Sequence, residues 1–120
     1  MLTDSEVKRL LDIANAGVNK GEIAAARRIY EGILAGRPDH VPTLVSSALS
    51  RIAAGEYAEA EALLKDRVLA DHPDDADALV YLGLSMHLSG RRDEALEVFA
   101  RIPEGTPAKT LADNLVASDR

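Results

Sequence analysis

The chain has 120 residues, a length that favours one domain, and its hydrophobic fraction of 47% is enough for a core. Its formal net charge of −6 argues against nucleic acids and anionic membranes as partners, because both attract clustered cationic side chains. The lack of cysteine excludes disulfide bonds, thiolate metal sites and cysteine nucleophiles. The sequence has no signal-peptide pattern and no apolar membrane span, so it predicts a cytoplasmic protein.

Apolar residues recur at helical spacing in three stretches, and each stretch predicts the first helix of a pair. The three stripes are Leu10, Leu11, Ile13, Ala14 and Val18; Leu44, Val45, Ala48, Leu49 and Ile52; and Leu79, Val80, Leu82, Gly83, Leu84 and Met86. A glycine follows each stripe, at Gly21, Gly55 and Gly90, and should end the helix because helix ends often need a positive φ. A second helix is then predicted over about residues 22–36, 56–70 and 92–102.

The pairs form an internal repeat, because the three glycines lie 34 and 35 residues apart. An alanine follows each glycine, a bulky residue comes one helical turn later, and a proline closes the unit. These positions are Ala26, Ala60 and Ala95; Tyr30, Leu64 and Phe99; and Pro38, Pro73 and Pro107, with one extra residue before Pro73. The small residues Ala14, Ala48 and Gly83 should face the alanines, while the bulky residues fill the space toward the neighbouring unit. One such hairpin cannot bury its apolar faces alone, so the units should stack.

A seventh helix is predicted after Pro103, over about residues 107–118. Thr106 is the expected N-cap and Pro107 the expected first helical residue. One face of this helix is expected to be apolar and to cover the last repeat, and its residues are Ala108, Leu111, Ala112 and Leu115.

Together these positions resemble the tetratricopeptide repeat, a 34-residue helix–turn–helix unit. The matches are Leu79, Leu82, Gly83, Gly90, Ala95, Phe99 and Pro107 in the third unit; Leu44, Ala48, Gly55, Tyr57 and Ala60 in the second; and Leu10, Ile13, Ala14, Gly21, Ala26, Tyr30 and Pro38 in the first. The resemblance divides one domain, residues 1–120, into repeats of about 7–40, 41–75 and 76–109. It implies an all-α fold, a right-handed solenoid of three stacked repeats plus a C-terminal capping helix. It also implies a protein-binding function without catalytic residues, cofactor or metal.

Other polar clusters have simpler interpretations than a chemical site. The segment "DHPDDAD", residues 71–77, could bind a hard cation, but it lacks the calcium-loop spacing and fits a turn with Asp at a helix N-cap. The histidines lie in three different repeats and the serines lack a nucleophile motif, so neither set predicts catalysis. These residues are His40, His72 and His87, and Ser46, Ser47 and Ser50. The pairs Arg27-Arg28 and Arg91-Arg92 are interpreted as solvated faces.

The resemblance places a partner-binding groove on the inner surface made by the first helices. Its predicted residues are Leu11, Asn15, Val18, Val45, Leu49, Ile52, Val80, Leu84, His87 and Leu88. Some grooves of this family hold a clamp of Lys, Asn and Arg for a partner's C-terminal carboxylate. Only Asn15 matches that clamp, since Leu11, Ser46 and Tyr81 stand at its other positions. The groove is mostly aliphatic instead, and either an amphipathic helix of a partner, the chain itself or a second copy would cover it.

Two functions follow as hypotheses from this groove. In size, acidity and groove character the chain is similar to the small cytoplasmic chaperones of bacterial type III secretion, which keep needle or translocator subunits soluble. The alternative is a self-associating scaffold in which the repeats of one copy pack into the groove of another. No constellation of residues supports an enzyme.

Overall fold

The computed structural model describes residues 1–118, which are all-helical and measure 45 × 28 × 23 Å along their principal axes. The α-helices are α1 Asp4–Asn19, α2 Ile23–Gly36, α3 Val41–Ala53, α4 Tyr57–Leu63, α5 Ala76–Leu88, α6 Arg92–Ala100 and α7 Pro107–Ser118. A π-helical segment, Leu64–Leu69, continues α4. The helices α1 and α2, α3 and α4, and α5 and α6 pack as three pairs, and α7 packs on α5 and α6. The predicted all-α repeat fold with a C-terminal helix is therefore confirmed.

The three turns within the pairs have the same backbone structure. Gly21, Gly55 and Gly90 have φ values of 82°, 78° and 84°. This is a left-handed conformation that residues with a Cβ atom rarely adopt. The N–H group that follows each glycine donates to the carbonyl group five residues earlier: Glu22 to Gly17, Glu56 to Arg51, and Arg91 to Met86, each at 2.8 Å. This is the Schellman arrangement, so the glycines end the first helices as the sequence predicts.

Small residues hold the two helices of each pair close together. Every predicted alanine at these contacts is buried, and the set is Ala14, Ala26, Ala48, Ala60 and Ala95. In the third pair, Gly83 of α5 faces the ring of Phe99 on α6, and a Cβ atom at position 83 would overlap that ring. Phe99 therefore fills space inside its own pair, a contact that the sequence analysis did not predict.

We expect Gly83→Ala to lower the free energy of unfolding by about 1–3 kcal/mol, because the added methyl group overpacks the contact with Phe99. Gly32→Ala is the matched control, since the space around Gly32 in α2 is open. Alanine is the better helix former, so this control should stabilise the protein by about 0.5–1 kcal/mol. Urea unfolding measures both changes. Equal stabilisation by the two substitutions would contradict the close packing of Gly83 on Phe99.

The π-helical segment lies where the second unit has its extra residue. Tyr30 and Ile33 are buried three residues apart in α2, and Phe99 and Ile102 are buried three residues apart at the end of the third pair. In the second pair the equivalent buried residues are Leu64 and Val68, which are four residues apart. The wider π turn therefore absorbs one inserted residue and keeps Val68 directed into the core.

We predict that deletion of the exposed Asp66 leaves a folded protein whose thermal midpoint is unchanged or higher, because Leu64 and Val68 then take the spacing of the other pairs. Deletion of Glu31, between Tyr30 and Ile33, is the control. It should rotate Ile33 out of the core, and exposing such a side chain costs about 1.5–3 kcal/mol. Circular dichroism melts test both, and equal destabilisation would show that the π turn is not an absorbed insertion.

Two hydrophobic clusters form the interior. The smaller one lies in the first pair and contains Val7, Leu11, Ala14, Ala26, Tyr30 and Ile33. The larger one extends from α3 to α7, and Leu34 of α2 packs against it. Ile13 belongs to neither cluster and is 55% exposed, so its predicted place on the apolar stripe of α1 is wrong.

Arginine side chains link consecutive pairs. Arg27 of α2 donates to both carboxylate oxygens of Glu56, at 2.6 and 3.3 Å, and these bonds lower the pKa of Glu56. Arg91 contacts Glu61 at 2.8 Å and Glu94 at 2.9 Å. The prediction that the arginine pairs are simply solvated is therefore wrong for Arg27 and Arg91.

The helix α7 covers the third pair, although by a slightly different face from the predicted one. Thr106 Oγ1 accepts from the Lys109 N–H group at 3.1 Å, which confirms the predicted N-cap. Ala108 and Ala112 are buried, whereas Leu111 is 39% exposed. The prediction that Leu111 lies on the covered face is wrong.

Candidate functional site: the inner groove

The first helices form a row in which α3 lies between α1 and α5. Three cavities open along this row. The main cavity, of about 320 Å³, is lined by Leu11, Asn15, Val41, Pro42, Val45, Ser46, Leu49, Asp75, Asp77 and Tyr81. A cavity of about 120 Å³ shares Asn15, Ser46 and Leu49 with it, and another of about 200 Å³ shares Leu11 and Pro42. We call the continuous surface of these three cavities the inner groove.

The structure brings half of the predicted groove residues together. Leu11, Asn15, Val45 and Leu49 line the main cavity, and Val18 lines the smaller one beside it. All five come from α1 and α3. The inner groove is therefore formed chiefly by the first two units.

The other predicted groove residues lie outside these cavities. Ile52 and Val80 line none of the three cavities and are core residues, with exposed fractions of 6% and 1%. Leu84 is half-buried against the larger cluster, and His87 is half-buried too. Leu88 is 49% exposed at the end of α5. The aliphatic row does not continue along α5, because that helix is enclosed by α3, α4, α6 and α7.

A hydrogen-bonded chain fixes the polar part of the floor. The Tyr30 hydroxyl donates to Asn15 Oδ1 at 2.5 Å, and Asn15 Nδ2 donates to Ser46 Oγ at 3.3 Å. Burial raises the pKa of Tyr30, so this phenol remains a donor at neutral pH. Asn15, the one residue that matches a carboxylate clamp, is therefore held by its own chain.

Acidic residues form the wall of the main cavity at the start of α5. Asp75 Oδ1 accepts from the Ala78 N–H group at 2.9 Å, so Asp75 is the Asp N-cap that residues 71–77 were expected to contain. Asp77 lies in the first turn and is exposed. Burial, and then the charge of Asp77, raises the pKa of the nearby Tyr81. Within residues 1–118, no three His, Cys, Asp or Glu side chains are placed to hold a metal ion.

Asp75 was not predicted as a groove residue, because residues 71–77 were interpreted together as a turn with Asp at a helix N-cap. The N-cap position of Asp75 could have indicated its place in the groove. Asp75 immediately precedes α5, one of the first helices. Its side chain caps the α5 backbone and also lines the main cavity.

A second concavity, of about 520 Å³, lies between α2, α3 and α4 on the side of the second helices. Leu34 and Leu63 contribute apolar surface there, and Arg51 and Arg67 contribute charge. Both arginines already have partners, since Arg51 contacts Glu56 at 3.1 Å and Arg67 donates to the Pro38 carbonyl oxygen at 2.8 Å. The two arginines are therefore already held by the fold, while Glu31, Glu59 and Asp66 supply the acidic side chains of this concavity.

Comparison with known proteins identifies a family described as "Tetratricopeptide repeat", which matches residues 51–118, more than half of the chain. The chain has no significant match among curated proteins or solved structures. Over the described residues, no helix combines the length and the apolar character needed to cross a bilayer.

Proposed function

Because the chain belongs to the tetratricopeptide repeat family, whose repeats are non-enzymatic and generally mediate protein–protein interaction, we propose that its inner groove binds an amphipathic helix of a partner protein. The apolar face of such a helix would lie on the residues that α1 and α3 contribute to the main cavity. A cavity of about 320 Å³ is large enough for side chains of a partner.

The partial exposure of Leu49 in the groove is the observation that supports this proposal best. Its side chain is half-buried and lines both the main cavity and the smaller one beside it. Among residues 1–118, it is in neither hydrophobic cluster and is not one of the partly buried residues packed against them. A leucine that the fold does not use for its own packing is available to a partner.

We expect Leu49→Glu to weaken binding of an amphipathic-helix partner roughly 10- to 100-fold, since burying one leucine contributes about 1.5–3 kcal/mol. The partner used is the tightest binder from a phage-displayed library of amphipathic helices, and fluorescence anisotropy measures its affinity. Leu111→Glu is the control, because Leu111 is an exposed leucine that lies on α7, away from the inner groove.

The circular dichroism spectrum of Leu49→Glu should match that of the unsubstituted protein. A folded Leu49→Glu variant that binds at full strength would place the binding surface outside the inner groove. A dimer by light scattering that this substitution converts to a monomer would instead make a second copy the occupant, which contradicts binding to another protein.

The finer proposal is a chaperone of the type III secretion kind, supported by the small size, the net charge of −6 and the aliphatic part of the groove. Co-expression should keep an aggregation-prone needle or translocator subunit soluble and in a stable complex with the chain. Leu49→Glu should return that subunit to the insoluble fraction. A set of such subunits that stays insoluble with and without the chain would reject the chaperone role and leave the binding proposal in place.

A further inference from the structure

We propose that the helix bound in the inner groove is basic, with a Lys or Arg side chain that pairs with Asp75 and Asp77 beside the apolar floor. This inference rests on the proposed binding function and adds the charge of the partner. It follows from the charges that line the main cavity, the pairing of the cations around it, and the apolar surface next to the two carboxylates.

The main cavity has two carboxylates in its lining and no basic side chain. Asp77 makes no hydrogen bond or ion pair within residues 1–118, and Asp75 uses only Oδ1 for its cap. Both carboxylates can therefore accept hydrogen bonds from a cation without giving up a contact of the fold.

The cations at the neighbouring end of the groove already have acidic partners. Lys8 contacts Asp12 at 3.0 Å, and Arg37 contacts Asp4 at 2.5 Å. Neither contributes to the main cavity, so the negative potential of Asp75 and Asp77 is not neutralised from that side. An acidic partner segment would meet like charge here, whereas a basic one would meet its complement.

The surroundings of these carboxylates suit a long basic side chain. Its methylene groups can lie on Pro42 and Leu49 while the charged end reaches Asp77, as lysine and arginine side chains commonly do. The half-buried Tyr81 lines the same cavity and is an aromatic side chain of the kind that cations contact. The apolar residues of the groove thus match the apolar side of a basic amphipathic helix, and its carboxylates match the basic side.

The experiment uses a phage-displayed library of amphipathic helices whose polar positions are randomised among Lys, Glu, Gln and Ser. Selection on the full chain should enrich Lys over Glu, and the chosen peptides should bind more weakly as salt increases. In Asp75→Asn with Asp77→Asn, affinity should fall about 5- to 30-fold, because two partly exposed ion pairs are lost. Asparagine caps helices as well as aspartate does, so the start of α5 is preserved.

The control is Asp93→Asn with Asp113→Asn, which removes the same amount of charge at exposed positions on α6 and α7. It should bind the selected peptides as the unsubstituted protein does. An equal loss of affinity in both double variants would show that only the net charge of the protein matters, and this result would overturn the proposal.

Equal enrichment of Lys and Glu would also overturn the proposal, but binding that remains sensitive to Leu49→Glu would leave the proposed function intact. A selection that yields no binding peptide would contradict the proposed function itself. Lys enrichment that is lost only in the Asp75 and Asp77 variant supports the inference.

Discussion

The packing of the two helices of each pair on small buried residues is the contact on which the rest of the architecture depends. Ala48 and Ala60 are fully buried in the second pair, and in the third pair Gly83 makes room for the ring of Phe99. Once a pair is joined this way, its remaining apolar faces point toward the neighbouring pairs. The first helices then form a row, and the sides of α1 and α3 not used for pairing become the inner groove.

Local signals account for the part of the fold that the sequence predicts well. The turn glycines, the Thr106 cap and the buried alanines each depend on contacts within one helix pair or one helix end. The link between Arg27 and Glu56 depends on residues 29 positions apart, so charge patterning within one helix carried no information about it. The contact between Arg91 and Glu61 was not predicted for the same reason, because these residues are 30 positions apart.

The groove was harder to predict, because helical periodicity identifies an apolar stripe without saying how many neighbours will cover it. Helix α5 is packed by four other helices, so Val80 lies in the core although it has an inward position in the repeat pattern. Helix α3 has a freer inner side, and Leu49 is left half-exposed there. Leu49 and Leu84 hold equivalent repeat positions and are both half-buried, but Leu84 packs against the larger hydrophobic cluster and Leu49 does not, which is information that a single repeat pattern lacks.

The position of the groove also connects it to the stability of the array. Leu11 belongs to the smaller hydrophobic cluster, whereas Val45 belongs to the larger one, and both line the main cavity. The first pair is joined to the second partly through polar contacts, including the bond from Asn15 to Ser46 on the floor of that cavity. A ligand that contacts both clusters favours the arrangement in which they are docked, because binding stabilises the state that binds. If the proposed partner contacts both clusters, it therefore also strengthens the boundary between the first and second pairs.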